Sequence, residues 1–162
     1  MIEKRKFLDK IILNHMKDLF LSDTFPWFYA KYQTAENKDP GYMYHSFYRN
    51  NFVNSNYYSN LSPLLQALDV KAIVNLRANL TLKQENKNYS DWHIDHYFIK
   101  NPKHKTAIFY LNTNNGYTEF KNGKKIMSEE NKIAIFDVKE EHRAVSQTDK
   151  NFRIVLNINY YE

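Results

Sequence analysis

Cysteine is absent from the 162 residues. That excludes disulfides, thiolate metal sites and thiol nucleophiles together, and leaves His, Asp and Glu to hold any transition metal. Long apolar runs are also missing: Met1-Ile2-Glu3-Lys4-Arg5-Lys6 is followed by a pattern broken at Asp9, Lys10, Asn14 and Lys17, which suits neither a signal peptide nor a membrane span. A soluble, cytoplasmic chain with no membrane partner is the expectation. No dense Lys/Arg block accompanies the net charge of +5, so nucleic acid is a disfavoured partner. Neither a repeat nor a linker divides the sequence, and its length suits one domain, 1–162. What is plentiful is aromatic, with 13 Tyr and 11 Phe, a composition that argues against disorder.

Between Lys4 and Leu21, apolar residues at Phe7, Leu8, Ile11, Ile12, Met16, Leu19 and Phe20 fall at helical spacing, which predicts an amphipathic helix of four to five turns. His15 beside that face reads as an ordinary surface or packed histidine. Phe25 to Tyr29 forms an aromatic plug suited to packing on a sheet. Residues Thr34 to Asn60, rich in Asn, Ser and Tyr with Pro40-Gly41 among them, signal little regular structure and suit a lid or an aromatic surface segment with His45 incidental. Ser62-Pro63 predicts an N-cap and first turn of a short helix through Leu68. Residues 1–70 thus read as helical support for the remainder of the chain.

The period then changes. Val74, Leu76, Ala78, Leu80 and Leu82 alternate with Asn75, Arg77, Asn79, Thr81 and Lys83, a strand with one apolar and one polar face. If part of the polar face looks into a barrel, Asn79 and Thr81 are candidates for lining it; solvent exposure is the plain alternative. Short strands follow around His93 to Phe98, Thr106 to Asn112, Tyr117 to Lys121, Lys124 to Met127, Lys132 to Asp137, His142 to Gln147 and Phe152 to Tyr160. Asn122-Gly123 predicts a type I′ hairpin and Asn115-Gly116 a further turn. So many short strands without intervening helices predict a mainly β domain with N-terminal helices, an antiparallel sandwich or jelly roll over 71–162.

His93-Ile94-Asp95 carries the chemistry. In a strand, residues i and i+2 share a face roughly 6.6 Å apart, so both side chains reach one point. His142, from a distant strand, completes two histidines and one carboxylate, the facial triad that leaves open positions on non-heme Fe(II). His-x-Asp alone is a weak signal, and polar residues that only satisfy hydrogen bonds within a jelly roll are the alternative. His96 points to the opposite face from Asp95 in a regular strand, and His104 falls in a solvated turn.

Trp92-His93-Ile94-Asp95, Thr106 to Asn112, Gly116-Tyr117-Thr118-Glu119-Phe120, Ile135-Phe136-Asp137, Glu141-His142-Arg143 and Arg153-Ile154-Val155-Leu156 together resemble the Fe(II)/2-oxoglutarate-dependent dioxygenases, in particular their prolyl-4-hydroxylase-like branch. The resemblance covers Val74 to Tyr160. It implies a double-stranded β-helix (a cupin-like jelly roll) in which His93, Asp95 and His142 bind Fe(II) and Arg153 pairs with the distal carboxylate of 2-oxoglutarate. Tyr110 falls where a prolyl-hydroxylase tyrosine bonds that carboxylate, and Thr106 and Asn157 are lesser candidates for the same pocket. It further implies consumption of O2 and hydroxylation of a peptidyl, first of all prolyl, or small-molecule substrate. The chain departs from that branch at Gly116-Tyr117, where two glycines are usual, and in a longer interval from His142 to Arg153. Two other functions share the fold: a binding module without turnover, and a nucleic-acid oxidative demethylase, against which Arg153 stands as the only arginine of the terminal strand.

Overall fold

The computed structural model describes residues 1–31, 41–95 and 103–162. In chain order the elements are β1 (Ile2–Lys4), α1 (Lys10–Phe20), β2 (Phe28–Ala30), β3 (Tyr42–Arg49), β4 (Phe52–Val53), a 3₁₀ turn (Tyr58–Leu61), α2 (Ser62–Ala67), β5 (Ala72–Leu82), β6 (His104–Tyr110), β7 (Tyr117–Phe120), β8 (Lys125–Met127), β9 (Lys132–Asp137), β10 (His142–Val145) and β11 (Phe152–Tyr161). Seven strands form a sheet in the order β1-β9-β6-β11-β5-β3-β2, with β4 on β3, and β10-β7-β8 form a second sheet facing it. Every strand pair is antiparallel. The chain is mainly β with few helices, as its alternating pattern requires.

Alternation along the central strands makes both faces of the large sheet useful. Ile154, Leu156, Ile158 and Tyr160 of β11, with Leu76, Ala78, Ala107, Phe109, Ile133 and Ile135, face Leu13, Met16 and Phe20 of α1 and Leu64 and Leu65 of α2 in the main core. The opposite face begins apolar: Ile108, Tyr110, Ala134, Phe136 and Val155 meet Phe120 and Ile126 of the small sheet. Towards β5 it turns polar, with Arg153 and Asn157 in register with Thr81 and Arg77. A cavity lies at that polar end.

Several elements differ from the sequence reading. The first helix begins only at Lys10, capped by the Asp9 side chain accepting from the Ile11 amide at 2.8 Å, because Ile2–Lys4 instead extends the sheet edge on β9. Ile11, expected on the apolar face, is exposed. Ser62 is the first residue of α2 and ends the 3₁₀ turn, while Leu61 holds the N-cap position expected of it. The strand β3 lies within the segment that reads as irregular: its Asn- and Tyr-rich composition hides an eight-residue strand because the partner that stabilises it, β5, is distant in sequence. Residues 34–40 of that segment lie outside the described residues. The Asn122-Gly123 hairpin forms, but as a three-residue loop: the Gly123 amide bonds to Phe120 O at 2.9 Å, Gly123 alone has positive φ (86°), and the geometry is a type I turn with a G1 bulge.

Candidate metal and cosubstrate site

His142 opens β10 and is held before anything binds. Its ring is 2 % exposed, packs edge-on to Phe136 at 5.0 Å and lies 5.9 Å from Phe120, and its Nδ1 lies 2.8 Å from Glu140 O. His93 sits opposite in an isolated antiparallel bridge, with its Nδ1 3.0 Å from Asp91 O. A carbonyl can only accept, so both Nδ1 atoms carry a proton, which leaves Nε2 as the ring atom that would meet a metal in the neutral form. Burial lowers the His142 pKa, and His93 beside it adds to that, against the raising effects of Asp95 and Glu140 O. The neutral ligand form is favoured.

Asp95 is fixed from β6 and β11. Thr106 Oγ1 donates to its Oδ2 at 2.7 Å and Asn159 Nδ2 at 2.9 Å, while Asn159 Nδ2 also lies 2.9 Å from Thr106 Oγ1. Burial pushes the Asp95 pKa up, but His142, Thr106, His93 and Asn159 together outweigh it, and the net direction is down. The carboxylate is therefore held in its ionised, metal-binding form beside His142. One ligand atom from each of the three residues lies within 4.8 Å of the others, close enough for side-chain rotation to bring all three onto one ion. Donor set, tautomers and supporting hydrogen bonds all fit a first-row metal.

The segment carrying His93 is fastened along β10. Ser90 N bonds to Ala144 O at 2.9 Å, the amides and carbonyls of His93 and His142 exchange bonds at 3.0 Å, and Ser90 Oγ accepts from the Ala144 amide at 2.9 Å. On the outer face the Arg143 guanidinium lies 4.3 Å from the Trp92 ring and 4.6 Å from Tyr89, and it bonds Glu119 at 2.6 and 2.8 Å. Trp92 therefore belongs to a clamp that places its neighbour.

A cavity of about 290 Å³ joins the three ligands to Arg77, Asn79, Thr81, Ile108, Thr118, Ala144, Arg153, Val155 and Asn157. Arg153 is 4 % exposed and its Nε donates to Ser128 Oγ at 2.7 Å. Burial pulls its pKa down, with Tyr110 opposing, but a guanidinium stays charged in a protein. No described carboxylate forms an ion pair with it. A buried cation without an acid is a site for an anion. Gly116 makes room for it: a Cβ there would lie 2.9 Å from Arg153 Cδ.

Asn79, Thr81, Asn157 and Arg153 of the sequence candidates line this cavity. Tyr110 and Thr106 do not. The Tyr110 hydroxyl donates to Thr118 Oγ1 at 2.8 Å, its ring lies 5.7 Å from the Arg153 guanidinium, and burial pushes its pKa up to about 12. Thr106 supports Asp95 instead of bordering the anion pocket. His104, expected in a solvated turn, begins β6, is fully buried and stacks on Tyr161 at 4.9 Å. The strand expected from His93 does not form over its described part, where His93 makes only an isolated bridge and Asp95 lies in a bend; His96 and the remainder through Phe98 lie outside the described residues. Sequence reasoning passed over Arg77 and Asn159. Arg77 shares the polar face of β5 with Asn79 and Thr81, so its spacing was a usable signal.

No family model and no curated protein matches the sequence. Solved structures do match. A 2OG-Fe(II) oxygenase family oxidoreductase from Burkholderia pseudomallei aligns over 99% of this chain and 84% of its own, with a TM-score of 0.70 and 12% identity. The viral collagen prolyl hydroxylase of Paramecium Bursaria Chlorella virus-1, in its 2OG complex, aligns over 99% and 94% with a TM-score of 0.62 and 11% identity. A Pseudomonas putida prolyl-4-hydroxylase aligns over 99% and 91% with a TM-score of 0.58 and 11% identity. The chain thus has the double-stranded β-helix fold of the 2OG-Fe(II) oxygenases, prolyl 4-hydroxylases among them.

Proposed function

We propose that this protein is an Fe(II)- and 2-oxoglutarate-dependent dioxygenase that hydroxylates a C–H bond of a peptidyl, in particular prolyl, or small-molecule substrate. One observation carries the reading: His93, Asp95 and His142 converge on the same cavity as the buried Arg153, which has no acid beside it among the described residues. A metal trio alone would suit a binder, but a fixed cation beside it suits a cosubstrate with a carboxylate at its far end.

His93 and His142 would offer Nε2 and Asp95 a carboxylate oxygen to Fe(II), leaving a net positive site that attracts a dianionic keto acid. Arg153 would take the distal carboxylate through its fork, with Ser128 on Nε keeping the remaining N–H groups aimed at the cavity. Ile108, Ala144 and Val155 give that cavity apolar walls that restrict water. With iron bound, O2 and 2-oxoglutarate supply the oxidation: one oxygen atom enters succinate as CO2 leaves, and the other converts substrate C–H to C–OH. The protein's part is orientation and shielding.

The test is anaerobic addition of Fe(II) and then 2-oxoglutarate to the purified protein, followed by succinate measurement in air. A weak visible charge-transfer band and Fe(II)-dependent succinate are expected in the wild type, and neither in His93→Ala. Undiminished 2-oxoglutarate consumption by His93→Ala would overturn the assignment.

A further inference from the structure

The cavity contains a second guanidinium for which metal and cosubstrate provide no use. Arg77 sits on β5 in register with Asn157 of β11 and Ser46 of β3. Among the described residues its Nε is buried without a hydrogen-bond partner, and so are Asn79 Oδ1, Asn157 Oδ1 and Ser46 Oγ. Buried polar groups are normally satisfied, so a cluster of four open atoms lining cavities marks a surface shaped for something else. Asn79 and Asn157 are 6 % and 9 % exposed and border the cavity.

Position separates Arg77 from the cosubstrate's cation. Arg153 pairs with Thr81 and Arg77 with Asn157, four residues along each strand, or roughly 13 Å. Arg77 also borders a second cleft of about 450 Å³, shared with Tyr44, Ser46, Arg49, Asn75 and Asn159. Asp95 is the one acid among that cleft's described residues, and Thr106 and Asn159 hold it. Two arginines against one committed carboxylate make the approach to the metal trio cationic, which draws and orients an anion.

We propose that Arg77 determines substrate specificity by binding the carboxylate of the molecule to be hydroxylated, a small organic acid of the amino-acid type. The proposal rests on the oxygenase reading. The guanidinium fork matches a carboxylate in two parallel bonds, and Asn79 and Asn157 offer acceptors for an adjacent ammonium or N–H. The carboxylate is unchanged in the reaction; the oxidised bond is a C–H further along the molecule, with 2-oxoglutarate and O2 supplying the oxidant. A cavity of about 290 Å³ that must also admit the cosubstrate favours a small acid, since ligand pockets commonly run from about 300 to 1,000 Å³.

The experiment presents the Fe(II)-loaded protein with the protein amino acids one by one, their carboxamides, and a prolyl tripeptide blocked at both ends, with succinate as the readout. At least one free acid should stimulate succinate formation about tenfold while its carboxamide does not. Arg77→Gln should raise the KM for that acid about tenfold or more, with little change in the 2-oxoglutarate requirement or the absorption band. Arg77→Lys, which keeps charge but loses the fork, should fall between. Calorimetric titration of the metal-free protein with the same acid should show the same loss in Arg77→Gln. A carboxamide or blocked peptide that works as well as the acids, no stimulation by any acid, or a raised 2-oxoglutarate requirement in Arg77→Gln overturns the proposal. If the wild type shows no band with Fe(II) and 2-oxoglutarate, the oxygenase reading fails; an intact band without acid dependence removes only the role of Arg77.

Discussion

His93 and His142 are tied to each other by a reciprocal pair of backbone hydrogen bonds, each amide donating to the other's carbonyl at 3.0 Å, and their rings stand 4.5 Å apart. The two candidate ligands therefore share one piece of ladder, although 49 residues separate them. Their spacing is set by backbone, so side-chain changes nearby should alter ring orientation before they alter ring separation.

Asn159 provides the first test of that support. Its Nδ2 bonds Asp95, and losing a hydrogen bond that orients a ligand typically weakens metal binding about 10–100-fold. Asn159→Ala should show a loss of that order in an anaerobic Fe(II) titration, with secondary structure unchanged by circular dichroism. Wild-type affinity in the variant would mean that Thr106 alone fixes the carboxylate.

Gly116 tests the anion pocket without touching a polar group. A Cβ there would approach Asn114 Oδ1 to 2.8 Å, Arg153 Cδ to 2.9 Å and Val145 O to 3.0 Å, the last of them backbone. Gly116→Ala should displace Arg153 and raise the 2-oxoglutarate concentration needed for half-maximal band formation, leaving Fe(II) binding close to wild type. A variant with normal 2-oxoglutarate dependence would show that Arg153 has room to yield.

Arg143 tests the clamp. Replacing it with Ala removes the guanidinium between Trp92 and Tyr89 and leaves Glu119, whose side chain is 12 % exposed, without its closest partner, at a cost of about 1–3 kcal/mol. A lower melting temperature and weaker Fe(II) binding are expected together, since His93 adjoins Trp92. Arg143→Lys should recover little, because an ammonium does not stack as a planar fork does. An unchanged melt in Arg143→Ala would exclude the clamp.

His45 gives a pH dependence well outside the metal trio. It is 4 % exposed, its Nδ1 lies 2.7 Å from Pro26 O and its Nε2 2.7 Å from Ser55 Oγ. Burial lowers its pKa below 6.5, partly offset by Pro26 O. The unfolded chain thus takes up the proton first as pH falls. Stability from this group is complete above pH 6.5 and declines below it until the folded pKa is reached, with a slope of at most about 1.4 kcal/mol per pH unit. Urea unfolding of the metal-free protein at pH 7 and pH 5 should show a smaller acid loss in His45→Gln than in wild type. Equal losses would assign the dependence elsewhere, His142 being depressed in the same direction.

The sequence by itself determined the strand alternation of β5 and the apolar stripe of α1, because these follow from periods of two and 3.6 that any short stretch reveals; it named His93 and Asp95, but they meet without a strand, His93 in an isolated bridge and Asp95 held by Thr106 and Asn159. It left β3 unread, since that strand exists through its pairing with β5 and not through its own propensity. It also misplaced His104 and Thr106: burial and hydrogen-bond partners depend on which strands lie alongside, and only folding brings β6 against β11. That His142 meets His93 at all, that Arg153 is buried without an acid among the described residues, and that Arg77 borders the cavity were decided by tertiary structure. Convergence of residues far apart in the chain is set by sheet order and register, which no local pattern encodes.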